Sequence, residues 1–436
     1  MLKNLITALA LVLALASGGP LAAQDASAQV LATWYRLTLE LIRHTPTYSP
    51  PVASRALAYL GVTSLEALAT GPGDLRSLAG QVQGLSPLPS RENGLTYDDA
   101  AVLQAALAEV VQGLFSNTGP TGQRSIKAVT RSLDALTADG LDPDTLAQSR
   151  AHGRAVGLHI LAWSGTDGGA VVENMGFAMT YTPSAAPGHW VPTSRIILQQ
   201  APLLPDWGNN RPFALPEGAT CALPPPPEYS EDPGSAFYAQ AQAARDAVIN
   251  RSPEQTAIAR FWSDDAMLSV TPPGHWISIA LQVLEAQGAD TPRRAEVLAL
   301  LGIAVADAFI GCWNQKYRYD LVRPVTYIKK VMDPSWEPLL ITPPFPEYPS
   351  GHSTQSGAAA TVLTALLGDA VAFEDKTGSA DGLPPRSFAS FWAAAEEAGI
   401  SRLYGGIHYP FSITSGLEQG RCIGAYAVAL NTRKSR

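Results

Sequence analysis

The sequence predicts an all-α protein made of two helical-bundle halves, with its candidate site residues in the second. Three observations carry that expectation. Apolar residues recur at three- and four-residue spacing in window after window. No segment sustains apolar–polar alternation closed by hairpin turns. Glycine and proline clusters punctuate the windows, and one proline-rich stretch parts an early helical run from a later one.

In the first half the periodic windows are 33–42, 53–68, 97–115, 125–136 and 144–161. Asp142-Pro143 reads as an N-cap followed by proline in the first turn. From 165 to 235 the rhythm stops. Pro202, Pro205, Pro212, Pro216 and the run Pro224 to Pro227 forbid continuous helix. The expectation is a long ordered connection draped over the surface as a seam between the halves. Helical windows return at 236–248, 253–268, 277–286, 293–319, 353–367, 388–398 and 416–430. The predicted organisation is therefore a signal peptide over 1–28, an N-terminal helical region over 29–200, a Pro-rich connection over 201–235 and a catalytic helical domain over 236–436.

The signal-peptide reading rests on Lys3, the short apolar run 5–16, and the small residues Ala26-Ser27-Ala28, with Ala23 as another cut site. It predicts a periplasmic or secreted protein with no membrane span once processed. A formal net charge of -8 argues against a nucleic-acid partner, which demands a basic face. Any anion site must then be a local cationic pocket. Cys221, Cys312 and Cys422 allow one disulfide with a free thiol, or three buried thiols, and spacing does not choose. The tetrapeptide Pro-Gly-His-Trp occurs at 187–190 and again at 273–276. A glycine turn leading into a packed aromatic explains the echo without invoking paired ligands.

Three segments of the second half concentrate cations and hydrogen-bonding groups. Lys316 and Arg323 are seven apart, which on one helix puts them on one face, and Pro324 places Arg323 at a helix end. Pro349-Ser350-Gly351-His352 precedes a helical window. Ser350 is then an N-cap, the Gly351 amide is open to close approach, and His352 is a titratable group beside a helix N-terminus suited to anions. Ser401-Arg402, with His408 six residues on, adds a guanidinium fork and a ring nitrogen that can attack or coordinate.

Lysine, then arginine-proline seven residues later, then Pro-Ser-Gly-His, then Ser-Arg and a histidine form a set. This set resembles the signature of the vanadium-dependent haloperoxidase-like branch of the type 2 phosphatidic acid phosphatase (PAP2)/haloperoxidase superfamily. Weaker resemblance extends upstream through residues 202–208, Arg211-Pro-Phe213, Glu254-Gln-Thr256, Pro273-Gly-His-Trp276 and Cys312-Trp313. The resemblance implies vanadate as cofactor. Lys316, Arg323 and Arg402 would neutralise its oxygens, and Ser350 and the Gly351 amide would donate to it. His408 would be the axial ligand of vanadium and His352 the acid–base residue. Trp313 and Phe345 fall where chloroperoxidases of the family place halide-site aromatics. The implied substrates are hydrogen peroxide and a halide, with hypohalous acid as product.

The alternative is an exported acid phosphatase, in which His408 forms a phosphohistidine with a phosphomonoester. Phosphatase members carry an aspartate four residues after the last histidine, and here that place is Ser412. Another carboxylate or a backbone carbonyl would have to replace it. A non-catalytic oxyanion binder is a third class, disfavoured because simple binding needs neither His352 nor His408. Nothing in 29–200 reads as a catalytic motif.

Overall fold

The structure is a computed structural model that describes residues 26–173, 181–194 and 201–434. The proposed signal peptide falls almost wholly outside them. Five long helices form the first half, followed by a single turn at Gly169–Val172: α1 (Ala26–Arg43), α2 (Pro50–Ala69), α3 (Asp99–Leu114), α4 (Pro120–Leu136) and α5 (Pro143–Ser164). The Asp142 carboxylate accepts from the Asp144 and Thr145 amides and so caps α5 as the sequence suggests. The second half holds α6 (Ala236–Ile249), α7 (Pro253–Phe261), α8 (Thr271–Ala286), α9 (Thr291–Tyr319) and α10 (Pro324–Val331). It continues with α11 (Gly351–Leu367), α12 (Phe391–Tyr404) and α13 (Pro410–Val428). The only sheet among the described residues is one antiparallel pair, β1 (Phe373–Asp375) with β2 (Arg386–Phe388).

The two halves share one hydrophobic core running from Val30 to Ala427. Its axis is α9, long and apolar enough to cross a membrane but buried throughout its most apolar window. Helix α9 lies along α2 because glycines let the backbones touch. A Cβ at Gly61 would stand 2.7 Å from the Leu298 carbonyl oxygen. Helix α13 closes on the N-terminus of α11 in the same way, since a Cβ at Gly416 would meet Ser353 Cβ at 2.7 Å. That contact sets the loop before α11 against the loop before α13.

Four expectations need correction. The connection is not draped over the surface between 203 and 215, where Leu203, Leu204, Trp207, Phe213 and Leu215 are buried in the core, whereas 222–235 lie mostly at the surface. The Asp307 carboxylate accepts from the amides of Phe213, Ala214 and Leu215 and so satisfies backbone that would be costly to bury. The window 253–268 stops being helix at Phe261, because Asp264, Met267 and Thr271 take left-handed φ of 49°, 69° and 63°. Helix α9 ends at Tyr319, where Asp320 adopts φ 46°, so Lys316 and Arg323 do not share a helix. Finally, the two Pro-Gly-His-Trp copies differ. Gly188 is a turn at φ 87°, whereas Gly274 and His275 lie inside the first turns of α8. Both tryptophans are fully buried, as a packed aromatic requires. Cys221 and Cys422 form a disulfide that ties the connection to α13, and Cys312 is a buried free thiol.

Candidate active site

The last turn of α9 delivers Lys316, fully buried. Its ammonium donates to the carbonyls of Pro346, Glu347 and Pro349 at 2.9, 2.9 and 2.6 Å. Burial, reinforced by the Arg323 charge, drives its pKa down to about 7 although Cys312 and Glu347 pull the other way. Arg323 precedes α10 with extended backbone, because the following proline excludes the helical region. Its Nε donates to the Phe345 carbonyl at 2.9 Å and its Nη1 to that of Ile407 at 2.9 Å. Its Nη2 is buried with no partner among the described residues. Burial lowers its pKa to about 10 against the pull of Glu347.

Ser350 caps α11: its hydroxyl oxygen accepts from the Ser353 amide at 3.3 Å and the Ser353 hydroxyl at 3.0 Å. Its own proton remains to be given. A Cβ at Gly351 would find only the Trp313 ring at 3.9 Å and Cys312 Sγ at 4.0 Å, ordinary contacts. Packing therefore does not demand glycine there; the missing side chain leaves room beside the first amides of α11. His352 follows, its Nε2 buried without a partner among the described residues. Burial first, then the Arg402 and His275 charges, holds its pKa well below the usual histidine value.

Arg402 sits in the last turn of α12, held by Ser401 Oγ and by the carbonyls of Ala259 and Trp262. Those carbonyls belong to the end of α7, and the loop that follows is anchored by a buried cluster. His275 Nδ1 lies 2.9 Å from Asp264 and its Nε2 lies 2.7 Å from Asp375. The imidazole stacks on Trp262 at 4.5 Å. Burial opposes charge on His275, but the two carboxylates outweigh it and raise the pKa to about 10.

His408 lies just before α13. Its Nδ1 is 2.7 Å from Glu347 Oε1 and its Nε2 is 3.2 Å from Arg323 Nη1. A guanidinium only donates, so Nε2 is the bare nitrogen and Nδ1 carries the proton. Burial, then Arg323, Lys316 and Arg402, pushes the pKa well below 6.5. Trp313 and Phe345 pack at 4.9 Å between ring centroids, with Lys316 Nζ 5.2 Å and the Arg323 guanidinium 5.0 Å from the Phe345 ring. The Trp313 indole is fixed by the Leu203 carbonyl at 3.2 Å.

The structure thus gathers Lys316, Arg323, Ser350, Gly351, His352, Arg402 and His408, with Trp313 and Phe345 alongside. Sequence reasoning missed Glu347, the fully buried carboxylate behind His408, which burial raises to about 7 despite Arg323 and Lys316. Its only sequence signal is an acid in an otherwise apolar Pro-rich stretch three residues before Ser350. The unpartnered Arg323 Nη2, the bare His408 Nε2 and the open face of Gly351 fit a tetrahedral oxyanion bonded through one nitrogen.

The family model of the VCPO second helical-bundle domain matches residues 296–435, which include every one of these residues. The solved structure of a bacterial vanadium-dependent iodoperoxidase is 36% identical at a TM-score of 0.87, covering 96% of this chain and 100% of that one. The chain belongs to the vanadium haloperoxidase-like branch of the PAP2/haloperoxidase superfamily. The vanadium chloroperoxidase of Curvularia inaequalis is 25% identical over a match that takes 38% of this chain and 38% of that protein. This member of the branch therefore spans well under half the length of that relative. An apo-type bacterial vanadium-dependent chloroperoxidase shares the fold, with a TM-score of 0.65 at 16% identity over 88% of this chain. Membership makes the chain an enzyme of the peroxidase/phosphatase-like superfamily, and its relatives imply vanadate.

Proposed function

We propose that this chain is a vanadate-dependent peroxidase that oxidises halide with hydrogen peroxide to hypohalous acid. The observation that carries the reading is the tautomer of His408: Nδ1–H on Glu347 leaves an Nε2 lone pair facing Arg323 within a cationic cradle. A neutral imidazole so fixed is a metal ligand. Bound vanadate supplies Lewis-acid activation of peroxide. His408 Nε2 would hold the vanadium. Arg323 Nη2, the Ser350 hydroxyl and the Gly351 amide would bind its oxygens, while Lys316 and Arg402 would add positive charge. His352, whose Nε2 is buried without a partner among the described residues, would hold or release a proton beside the bound anion. Trp313 and Phe345 exclude water and offer the halide an apolar wall backed by two cations.

Glu347 also supplies the carboxylate whose loss at 412 weakened the phosphatase reading, so His408 keeps the means to act as a nucleophile toward phosphorus. The deciding experiment assays purified protein, with and without orthovanadate, for iodide and bromide oxidation and for p-nitrophenyl phosphate hydrolysis. Vanadate-dependent halide oxidation is expected. Phosphomonoester hydrolysis inhibited by vanadate, with no halide oxidation, would replace this reading with the phosphatase. Export to the periplasm or medium is part of the proposal, and the Cys221–Cys422 disulfide supports it. Because Ser27 is already buried in α1, cleavage after Ala23 suits the fold better than cleavage after Ala28.

A further inference from the structure

We propose that Glu347 is the positioning carboxylate of His408, standing in from the loop before α11 for the acidic partner that Ser412 does not provide. The inference rests on the oxyanion reading of the site above and names what holds its ligand nitrogen in place. At position 412 the hydroxyl is 3.5 Å from His408 Nδ1, at the limit of a hydrogen bond. Glu347 Oε1 is 2.7 Å from the same nitrogen and also accepts from the Tyr409 amide at 2.9 Å. One oxygen thus fixes both the ring and the backbone beside it.

The carboxylate is itself immobilised. The Glu347 amide donates to the Leu321 carbonyl at 3.0 Å, and its own carbonyl accepts from Lys316 Nζ at 2.9 Å. Leu321 lies two residues before Arg323, so this single loop residue ties together the segments carrying Lys316, Arg323 and His408. Its second oxygen, Oε2, is buried with no partner among the described residues. A carboxylate that served only to neutralise Lys316 and Arg323 would pair with them. Instead, neither cation forms an ion pair among the described residues, and the short side-chain contact Glu347 makes is the hydrogen bond it accepts from the neutral His408 ring at Nδ1. Its function is therefore read through the imidazole: it keeps the proton on Nδ1 and the lone pair on Nε2.

Outer-shell partners of this kind change metal affinity by roughly ten- to a hundredfold when removed. The test uses full-length protein and orthovanadate alone, with dissociation constants from equilibrium dialysis and thermal midpoints in parallel. Glu347→Gln, which keeps shape but not charge, is expected to weaken orthovanadate binding by that factor. Adding Ser412→Asp to Glu347→Gln is expected to restore much of the loss, because that side chain already sits against Nδ1. A role confined to folding predicts no such rescue. Unchanged affinity in Glu347→Gln, or a loss that Ser412→Asp leaves untouched, overturns the proposal. If Glu347→Gln does not fold, histidine 15N shifts of the wild type decide: His408 must show a protonated Nδ1 and a bare Nε2, and the reverse overturns the proposal. Should the wild type bind no orthovanadate, the peroxidase reading fails by itself, and the same shifts still judge Glu347.

Discussion

Replacing Arg323 with alanine separates what this side chain does for the fold from what it does for an oxyanion. For the fold, the guanidinium serves the half-buried carbonyl of Phe345, the buried carbonyl of Ile407 and the ring nitrogen of His408. Alanine leaves both carbonyls unpaired at about 1–3 kcal/mol each, offset in part because a desolvated charge is no longer buried. A net destabilisation of about 2–5 kcal/mol is expected, read by urea denaturation. For the ligand, the relevant atom is Nη2, the one donor of Arg323 without a partner among the described residues. A hydrogen bond to a charged group contributes about 1.5–3 kcal/mol, so the orthovanadate dissociation constant should rise roughly ten- to two-hundredfold. Arg323→Lys should fall between, since one ammonium cannot serve two carbonyls and the ligand together. The two effects meet in one titration. At a hundred times its dissociation constant, orthovanadate should stabilise the wild type by about 2.7 kcal/mol, and the alanine variant far less at the same concentration. A variant that melts early yet binds orthovanadate within twofold of wild type would show that Arg323 only supports the fold.

Two further predictions concern the histidines. His408→Ala should release vanadium, because it removes the nitrogen that would bond the metal, while His352→Ala should retain vanadium and lose most halide oxidation. Vanadium content and iodide oxidation measured side by side check this, and an active, metal-replete His408→Ala refutes the assignment. His275, with a folded pKa of about 10 against an ordinary 6.5, makes stability pH-dependent in a defined sense. Its contribution is complete below about pH 6.5 and is lost as pH rises through about 10. The thermal midpoint should therefore decline from pH 7 to pH 10 more steeply in the wild type than in His275→Gln. That variant should also be less stable near neutrality by about 3–5 kcal/mol, having left Asp264 and Asp375 buried without their cation.

What was legible in the sequence was what short spacing encodes. The N-cap at Ser350, the break before Pro324 and the apolar run of α9 are local, and each appears where its residues put it. Contacts set by long-range packing left no such trace. Glu347 meets His408 across a sequence separation of 61, and Asp264 and Asp375 meet at His275 from opposite sides of α8 in the chain. The loop after α7 misled because its left-handed residues are Asp264, Met267 and Thr271, with no glycine to mark it, while Met267 and Leu268 prolong the helical periodicity. Helix α10 spans eight residues and each strand three, too short for any periodicity to declare. The repeated Pro-Gly-His-Trp teaches the same lesson. Its second copy opens a helix because Pro272 and Pro273 occupy the first turn of α8, whereas the first copy is a turn bridged to Leu321.

The cations of the site are held in a way that lets an acidic protein keep a local cationic pocket. Lys316 is gripped by three backbone carbonyls, Arg323 by two and Arg402 by two. None of the three forms an ion pair among the described residues. A carboxylate partner would fix each side chain equally well but would cancel its charge and compete with the oxyanion for the same donors. Carbonyl dipoles orient the cation and leave its field largely intact, so little reorganisation is needed when the ligand arrives. Desolvation is the cost, visible in the Lys316 pKa of about 7 and the Arg323 and Arg402 values of about 10. A bound oxyanion reverses that cost by restoring a counter-charge. Lys316→Met should therefore weaken orthovanadate more at pH 6, where the wild-type ammonium is charged before the ligand arrives, than at pH 8.5, where binding must first recruit a proton. Equilibrium dialysis at both pH values measures this, and an equal loss at each would show that the Lys316 charge does not act on the ligand.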